Sequence, residues 1–91
     1  MGLGLTLQIE ETEFSIGDTV LIKGVGQSNS NRLTIEIIDE NDQVVTALET
    51  PITSDGTFSL PWNIPSDFST GMYTVKVSDA ENSSSFEIFI Q

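Results

Sequence analysis

The chain has 91 residues, which is enough for one small domain that buries about 60 to 65% of its unfolded surface. Its formal net charge is -11, from 14 acidic and 3 basic side chains, so nucleic acids and anionic membranes are not expected as partners. The sequence contains neither cysteine nor histidine, which excludes disulfides, thiolate metal ligands and catalytic arrangements that depend on Cys or His.

The lengths of the apolar segments bound the organisation of the chain. None approaches the about 20 residues needed to span a bilayer, so direct membrane insertion is not expected either. Residues 1–4 lack the basic and apolar regions of a signal peptide, and we interpret them as a linker or an added start. Residues 5–91 are predicted to form a single domain.

In the first half of the chain, apolar and polar residues alternate with the period of two that is typical of half-buried strands. Four strands are predicted, from Leu5 to Ile9, from about Thr19 to Gly24, from Arg32 to Asp39 and from Gln43 to about Pro51. A turn at Gly17-Asp18 separates the first two, and the polar segment 26–31 is predicted as a loop. The fourth strand ends in Pro51, which has no N–H to donate, so it is predicted as an edge strand.

The second half of the chain contains three more predicted strands. Asp55-Gly56 predicts a tight turn, because Gly tolerates positive φ and the Asp carboxylate accepts backbone hydrogen bonds. The inward residues that follow lie two apart, at Phe58, Leu60, Trp62 and Ile64, then Tyr73, Val75 and Val77, then Phe86, Ile88 and Ile90. No apolar period of 3.6 residues persists, so helix is not expected. The sequence therefore predicts an all-β fold, a seven-stranded antiparallel Greek-key β-sandwich.

Several short motifs resemble one group of β-sandwich domains. They are Phe14-x-x-Gly17-Asp18-Thr19-Val20-x-Ile22-x-Gly24, Leu33-x-Ile35-x-Ile37-x-Asp39, Asp55-Gly56-x-Phe58, Ile64-Pro65 and Gly71-x-Tyr73-x-Val75-x-Val77. From about residue 5 to residue 90 the chain resembles the immunoglobulin-like repeats of bacterial and archaeal surface proteins, and it is similar to macroglobulin-type domains. The resemblance implies an immunoglobulin-like sandwich of the fibronectin III or macroglobulin type. It also implies an extracellular or cell-surface location, with neighbouring domains of the same polypeptide or other surface proteins as partners.

Five residues are predicted to have structural roles: Gly17, Gly56, Gly71, Trp62 and Tyr73. The three glycines lie where turns need positive φ or a close approach of the backbone. Tyr73 resembles the tyrosine corner of Greek-key sandwiches, in which the hydroxyl bonds a nearby backbone group; the alternative is a core aromatic with its hydroxyl in water. Trp62 is predicted to pack in the core, and the alternative is an exposed ring that stacks on a sugar.

Two groups of acidic residues are candidate calcium sites. Asp39, Asn41 and Asp42 bring oxygen ligands into one turn, although their spacing does not match the EF-hand pattern, and a plain hairpin turn is the favoured interpretation. The second group either meets a neighbouring domain around a cation or is solvated charge; its members are Glu10, Glu11, Glu13 and Asp18. No cofactor is expected, and calcium is the one candidate ion.

One group of outward residues is a candidate interaction patch. Ile38 on the third strand, Met72 and Lys76 on the sixth and Phe89 on the seventh are predicted to share the outer face of one sheet. Apolar side chains grouped on an outer face suggest a contact surface, and the alternative is incidental exposure. In addition, Asn82-Ser83-Ser84 matches the acceptor pattern for N-glycosylation.

The leading functional hypothesis is a non-catalytic structural or interaction module with a spacer, adhesion or assembly role. The alternative is a module that binds carbohydrate or another ligand through Trp62 or through loop residues such as Asn29 and Asn31. An enzyme is not expected, because a sandwich of this size offers no evident cleft to hold a catalytic pair of carboxylates.

Overall fold

A computed structural model describes residues 5–9, 11–26, 32–79 and 82–91 of the chain. These residues form eight strands: β1 (Thr6–Leu7), β2 (Glu13–Phe14), β3 (Thr19–Val25), β4 (Arg32–Ile38), β5 (Val44–Pro51), β6 (Thr57–Asn63), β7 (Gly71–Ser78) and β8 (Ser83–Ile90). The strands lie in a three-stranded sheet of order β1-β3-β6 and a five-stranded sheet of order β2-β8-β7-β4-β5. Within the described ranges, no helix has the length and apolar character of a membrane span.

The core lies between the two sheets, where the inward side chains of both sheets meet. The residues with no or almost no exposed surface are Val20, Ile22, Leu33, Ile35, Ile37, Ile64, Val75, Val77, Ile88 and Ile90. Nearly all are β-branched, which suits a pleated surface, and burying one such side chain stabilises the fold by about 1.5 to 3 kcal/mol. The all-β sandwich predicted from the alternating pattern is therefore confirmed.

The N-terminal segment differs from its prediction, because it forms two strands in different sheets. β1 pairs antiparallel with β3, whereas β2 pairs parallel with β8, so the sandwich has eight strands rather than seven and is not wholly antiparallel. The crossing is held by Phe14, which is buried, and by hydrogen bonds from Phe89 N to Thr12 O (2.7 Å) and from Gln91 N to Phe14 O (2.9 Å). Alternation in sequence indicates which residues point inward but not which strand lies alongside.

The pairing of β1 with β3 depends on a glycine. Gly24 lies opposite Leu7, and a Cβ at Gly24 would overlap the carbonyl oxygen of Thr6 and come within 2.9 Å of the ring of Phe58. Any side chain at Gly24 would thus push β1 away from its partner strand.

β5 is the last strand of the five-stranded sheet, as the sequence predicts for this segment. Its pairing with β4 shifts by one residue between the pairs Ile37↔Thr46 and Ile38↔Val44, so Val45 is the extra residue of a β-bulge. The bulge explains why residues 44–48 fit neither face of a regular strand, and it leaves Val44 and Val45 exposed.

Candidate functional site

Three aromatic side chains close one end of the sandwich. The hydroxyl of Tyr73 donates a hydrogen bond to the carbonyl oxygen of Ser69 at 2.8 Å, which is the geometry of a tyrosine corner. The ring of Phe68 stacks on Tyr73 with centroids 5.3 Å apart, and Trp62 contacts Phe68 edge-on at 5.5 Å. Burial raises the pKa of Tyr73, and the nearby charges of Asp39 and Glu40 raise it further.

This packing argues against the alternative that Trp62 is an exposed ring that stacks on a sugar. The side chain is only 6% exposed, so neither ring face is available to stack on a carbohydrate. Phe68 was missed by sequence reasoning, because it lies in a loop and belongs to no alternating pattern. Its only signal in the sequence is its place as an aromatic residue in the loop between Pro65 and Gly71.

In the turn from Asp39 to Gln43, the Asp39 carboxylate accepts hydrogen bonds from the backbone of the turn itself. Asp39 Oδ1 accepts hydrogen bonds from the N–H groups of Asn41 (2.8 Å) and Gln43 (3.0 Å), and the Asp42 N–H donates to the Asp39 carbonyl at 3.1 Å. Asp42 itself adopts a φ of 62°. Across the part of the chain that is described, no three Asp or Glu residues are grouped to hold a metal ion. The geometry is that of a hairpin turn.

The second acidic group is not gathered into one place by the described residues. Asp18 Oδ2 accepts a hydrogen bond from the Ser15 N–H at 2.8 Å and so closes the turn that contains Gly17. Glu11 and Glu13 are exposed, and Glu10 lies outside the described residues.

The three glycines with predicted structural roles all have positive φ, 93° at Gly17, 88° at Gly56 and 144° at Gly71. The Gly56 turn also holds the Asp55 carboxylate, which accepts hydrogen bonds from the hydroxyls of Thr53 and Thr57. These bonds lower the pKa of Asp55.

The predicted interaction residues lie on the outer face of the five-stranded sheet. Met72 and Phe89 are direct cross-strand partners and are 37% and 39% exposed. In the next row, Ile38 pairs with Val44, whose side chain is 50% exposed. We call these four apolar residues the outer patch. Lys76 lies beyond it, opposite Glu36 on β4 and Ser85 on β8.

Sequence reasoning missed Val44, because the bulge disguises its register. Among the described residues, five large hydrophobic side chains are exposed: Val44, Val45, Met72 and Phe89 belong to the five-stranded sheet and Leu21 to the other. Three of them, Val44, Met72 and Phe89, lie in the outer patch, and Val45 lines a cleft beside Phe68 and Tyr73.

Comparisons with known proteins identify the fold. Escherichia coli alpha-2-macroglobulin activated by trypsin matches 96% of this chain with 6% of its own, at 15% identity and a TM-score of 0.79. The Salmonella protein reacted with methylamine matches 99% of this chain with 6% of its own, at 16% identity and a TM-score of 0.75. The E. coli protein activated by porcine elastase matches 94% with 8% of its own, at 15% and 0.77. This chain has a macroglobulin-type β-sandwich fold.

At such identities the likeness shows the fold alone, and the chain spans well under a tenth of the length of these structures. No protein-family model matches the sequence, and no curated protein matches it either.

The macroglobulin-type sandwich has a shallow cleft at the end that the aromatic residues close. Its lining consists of Asp39, Val45, Asp67, Phe68, Ser69 and Tyr73. The Asp39 carboxylate is bonded to its own turn and the Tyr73 hydroxyl to Ser69, so these two groups of the lining stabilise the fold.

The candidate glycosylation triplet lies at the β7–β8 hairpin. The Asn82 N–H donates to Asp79 Oδ1 at 2.6 Å, its carbonyl accepts from the Asp79 N–H at 2.9 Å, and Ser83 and Ser84 begin β8. Asn29 and Asn31, the loop residues considered for carbohydrate, lie outside the described residues.

Proposed function

We propose that this macroglobulin-type sandwich is a non-catalytic structural and interaction module of a larger cell-surface or secreted protein. In this role it spaces its neighbours and contacts one of them through the outer patch. The structures it resembles are chains more than ten times its length, of which it matches one small part. This supports a role as one unit among several.

The outer patch is the observation that carries the proposal. The solvated face of an antiparallel sheet is ordinarily polar, whereas here Met72 and Phe89 face each other across β7 and β8, with Ile38 and Val44 in the next row. A grouped apolar surface of this kind is typical of a contact surface, and single exposed residues are not. The expected partner is a neighbouring domain of the same polypeptide or another surface protein.

The test compares Phe89→Ser with Leu21→Ser, each in the isolated module and in its parent polypeptide. Leu21 is the matched control because it is apolar and exposed but lies on the other sheet. If a neighbour covers the outer patch, Phe89→Ser costs at least about 1 kcal/mol more in the parent than in isolation, whereas Leu21→Ser costs the same in both. Urea unfolding gives both differences.

Equal costs of Phe89→Ser in the two contexts would remove the contact role. Sedimentation velocity over a wide range of protein concentration, in calcium and in chelator, tests the rest of the proposal. A monomer that is unchanged in both agrees with a spacer. Assembly that requires calcium would contradict the hairpin interpretation of Asp39, Asn41 and Asp42.

A further inference from the structure

The edge of β5 offers a long row of backbone groups without a sheet partner among the described residues. β5 pairs with β4 from Thr50 and Pro51 back to Val44, and no described strand lies on its other side. The other edges are less suited to pairing. β1 and β2 have two residues each, β6 contains Pro61, and β8 is partly covered by β2.

The devices that protect edge strands lie mainly at the two ends of β5. Edges are usually protected by charged side chains, Pro or bulges, and between Thr46 and Thr50 the strand has no Pro and one charged side chain, Glu49, which is paired with Arg32. The bulge at Val45 lies at its beginning and Pro51 at its end. The stretch from Thr46 to Thr50 is regular and accessible from the side.

Apolar side chains flank this edge on both faces of the sheet. Val44 lies in the outer patch opposite Ile38, and it is 50% exposed. Val45 is 42% exposed and lines the cleft beside Phe68 and Tyr73. A strand added beside β5 would therefore have Val44 as an apolar neighbour on the outer face and Val45 as one beside the cleft.

The surroundings of the edge select the charge of its occupant. Asp39, Glu40 and Asp42 lie in the turn that leads into β5, and Glu36, on the outer face of β4, lies opposite Lys76. Arg32 is already paired with Glu49 at 3.2 Å. A second copy of the chain would bring the same acidic groups and another net charge of -11 to the contact. A partner with basic residues is favoured.

We propose that the free edge of β5 binds an extended segment of a partner polypeptide in which apolar and basic residues alternate, as an added strand of the five-stranded sheet. The proposal rests on the interaction role proposed above and names the partner's chemistry. Backbone hydrogen bonds supply the affinity, Val44 and Val45 receive apolar side chains, and the acidic residues at this end of the sheet favour Lys or Arg.

The experiment uses a synthetic peptide of alternating valine and lysine, as long as β5, and its valine–glutamate counterpart. NMR titration is expected to show binding of the first peptide only, with shifts centred on Val44–Pro51 and slower amide hydrogen exchange along that strand. Raising the ionic strength from about 0.05 to about 0.5 M is expected to weaken the binding.

Val45→Lys and Leu21→Lys are the matched variants, since each adds one positive charge at an exposed apolar position. Val45→Lys is expected to weaken binding about tenfold or more, because a lysine at the edge repels the peptide and obstructs pairing, whereas Leu21→Lys leaves it within about twofold. A monomeric, cooperatively unfolding Val45→Lys protein establishes that the loss is not due to misfolding.

Three results would overturn the proposal. One is binding that shifts only the NMR signals of the acidic turn and leaves amide hydrogen exchange in β5 unchanged, which would mean unspecific charge attraction. Another is protection of β5 that grows with protein concentration without peptide, which means pairing of two copies. The third is no binding; if Phe89→Ser still has its larger cost in the parent polypeptide, the interaction role stands and only the β5 proposal fails.

Discussion

At the scale of single residues, the hydroxyl of Tyr73 connects the loop before β7 to the sandwich. Tyr73 is buried, its hydroxyl donates to Ser69 O at 2.8 Å in a part-buried bond, and its ring stacks on Phe68. We expect Tyr73→Phe to lower the free energy of unfolding by about 0.5 to 1.5 kcal/mol, because this hydrogen bond is lost. Urea unfolding measures this, and an unchanged midpoint would show that the bond contributes nothing to stability.

The same residue is expected to make the folded protein less stable at alkaline pH. Burial raises the pKa of Tyr73, with a smaller contribution from Asp39 and Glu40, so the unfolded chain ionises this phenol before the folded chain does. Stability is complete below the ordinary value of about 10 and falls as the pH rises from there through the folded pKa. The sequence contains one tyrosine, so tyrosinate absorbance reports it directly, and Tyr73→Phe should remove this part of the alkaline loss.

At the scale of elements, two turns, one in the β4–β5 hairpin and one between β5 and β6, have the same backbone bonds but different residues at the position that needs positive φ. In residues 39–43 and 53–57 the first N–H donates to the last carbonyl, and the fourth N–H donates back to the first carbonyl. The fourth residue has positive φ in both, 62° at Asp42 and 88° at Gly56. This pattern is a type I turn followed by a G1 bulge, for which glycine is preferred.

The comparison predicts that substitutions at these two positions change the stability of the protein in opposite directions. Asp42→Gly is expected to stabilise the protein by about 0.5 to 1 kcal/mol, because Gly adopts a left-handed conformation without steric cost. Gly56→Ala is expected to destabilise it by about 1 kcal/mol for the same reason. Thermal or urea unfolding of both variants measures the difference, and destabilisation by Asp42→Gly would mean that the Asp42 side chain contributes more than its strain costs.

The strands also show which structural features an alternating sequence pattern predicts and which it does not. Alternation predicted the inward faces of β3, β4, β6, β7 and β8, because each buries one face and exposes the other. It did not predict that β2 pairs parallel with β8, since that pairing depends on where the chain crosses between sheets. In the candidate site, Ile38, Met72 and Phe89 follow from alternation, whereas Val44 is disguised by the bulge and Phe68 by its loop.

At the scale of the whole molecule, negative charge opposes folding. Fourteen carboxylates and three cations are carried by a body of 39 × 22 × 18 Å. At about 0.01 M salt the screening length is about 30 Å, which exceeds two of these dimensions, so carboxylates on opposite sides repel each other. The Arg32–Glu49 pair offsets little of this, because its side chains are 69% and 60% exposed.

Salt is therefore expected to stabilise the protein. Raising NaCl from about 0.01 to about 0.5 M shortens the screening length to a few ångströms, which weakens repulsion in the compact state more than in the expanded unfolded chain. The melting temperature should rise steeply at low salt and then level off. A parallel series near pH 4, where many carboxylates are protonated, should show a smaller rise. A melting temperature independent of salt at neutral pH would mean that the carboxylates are far enough apart to fold without mutual cost.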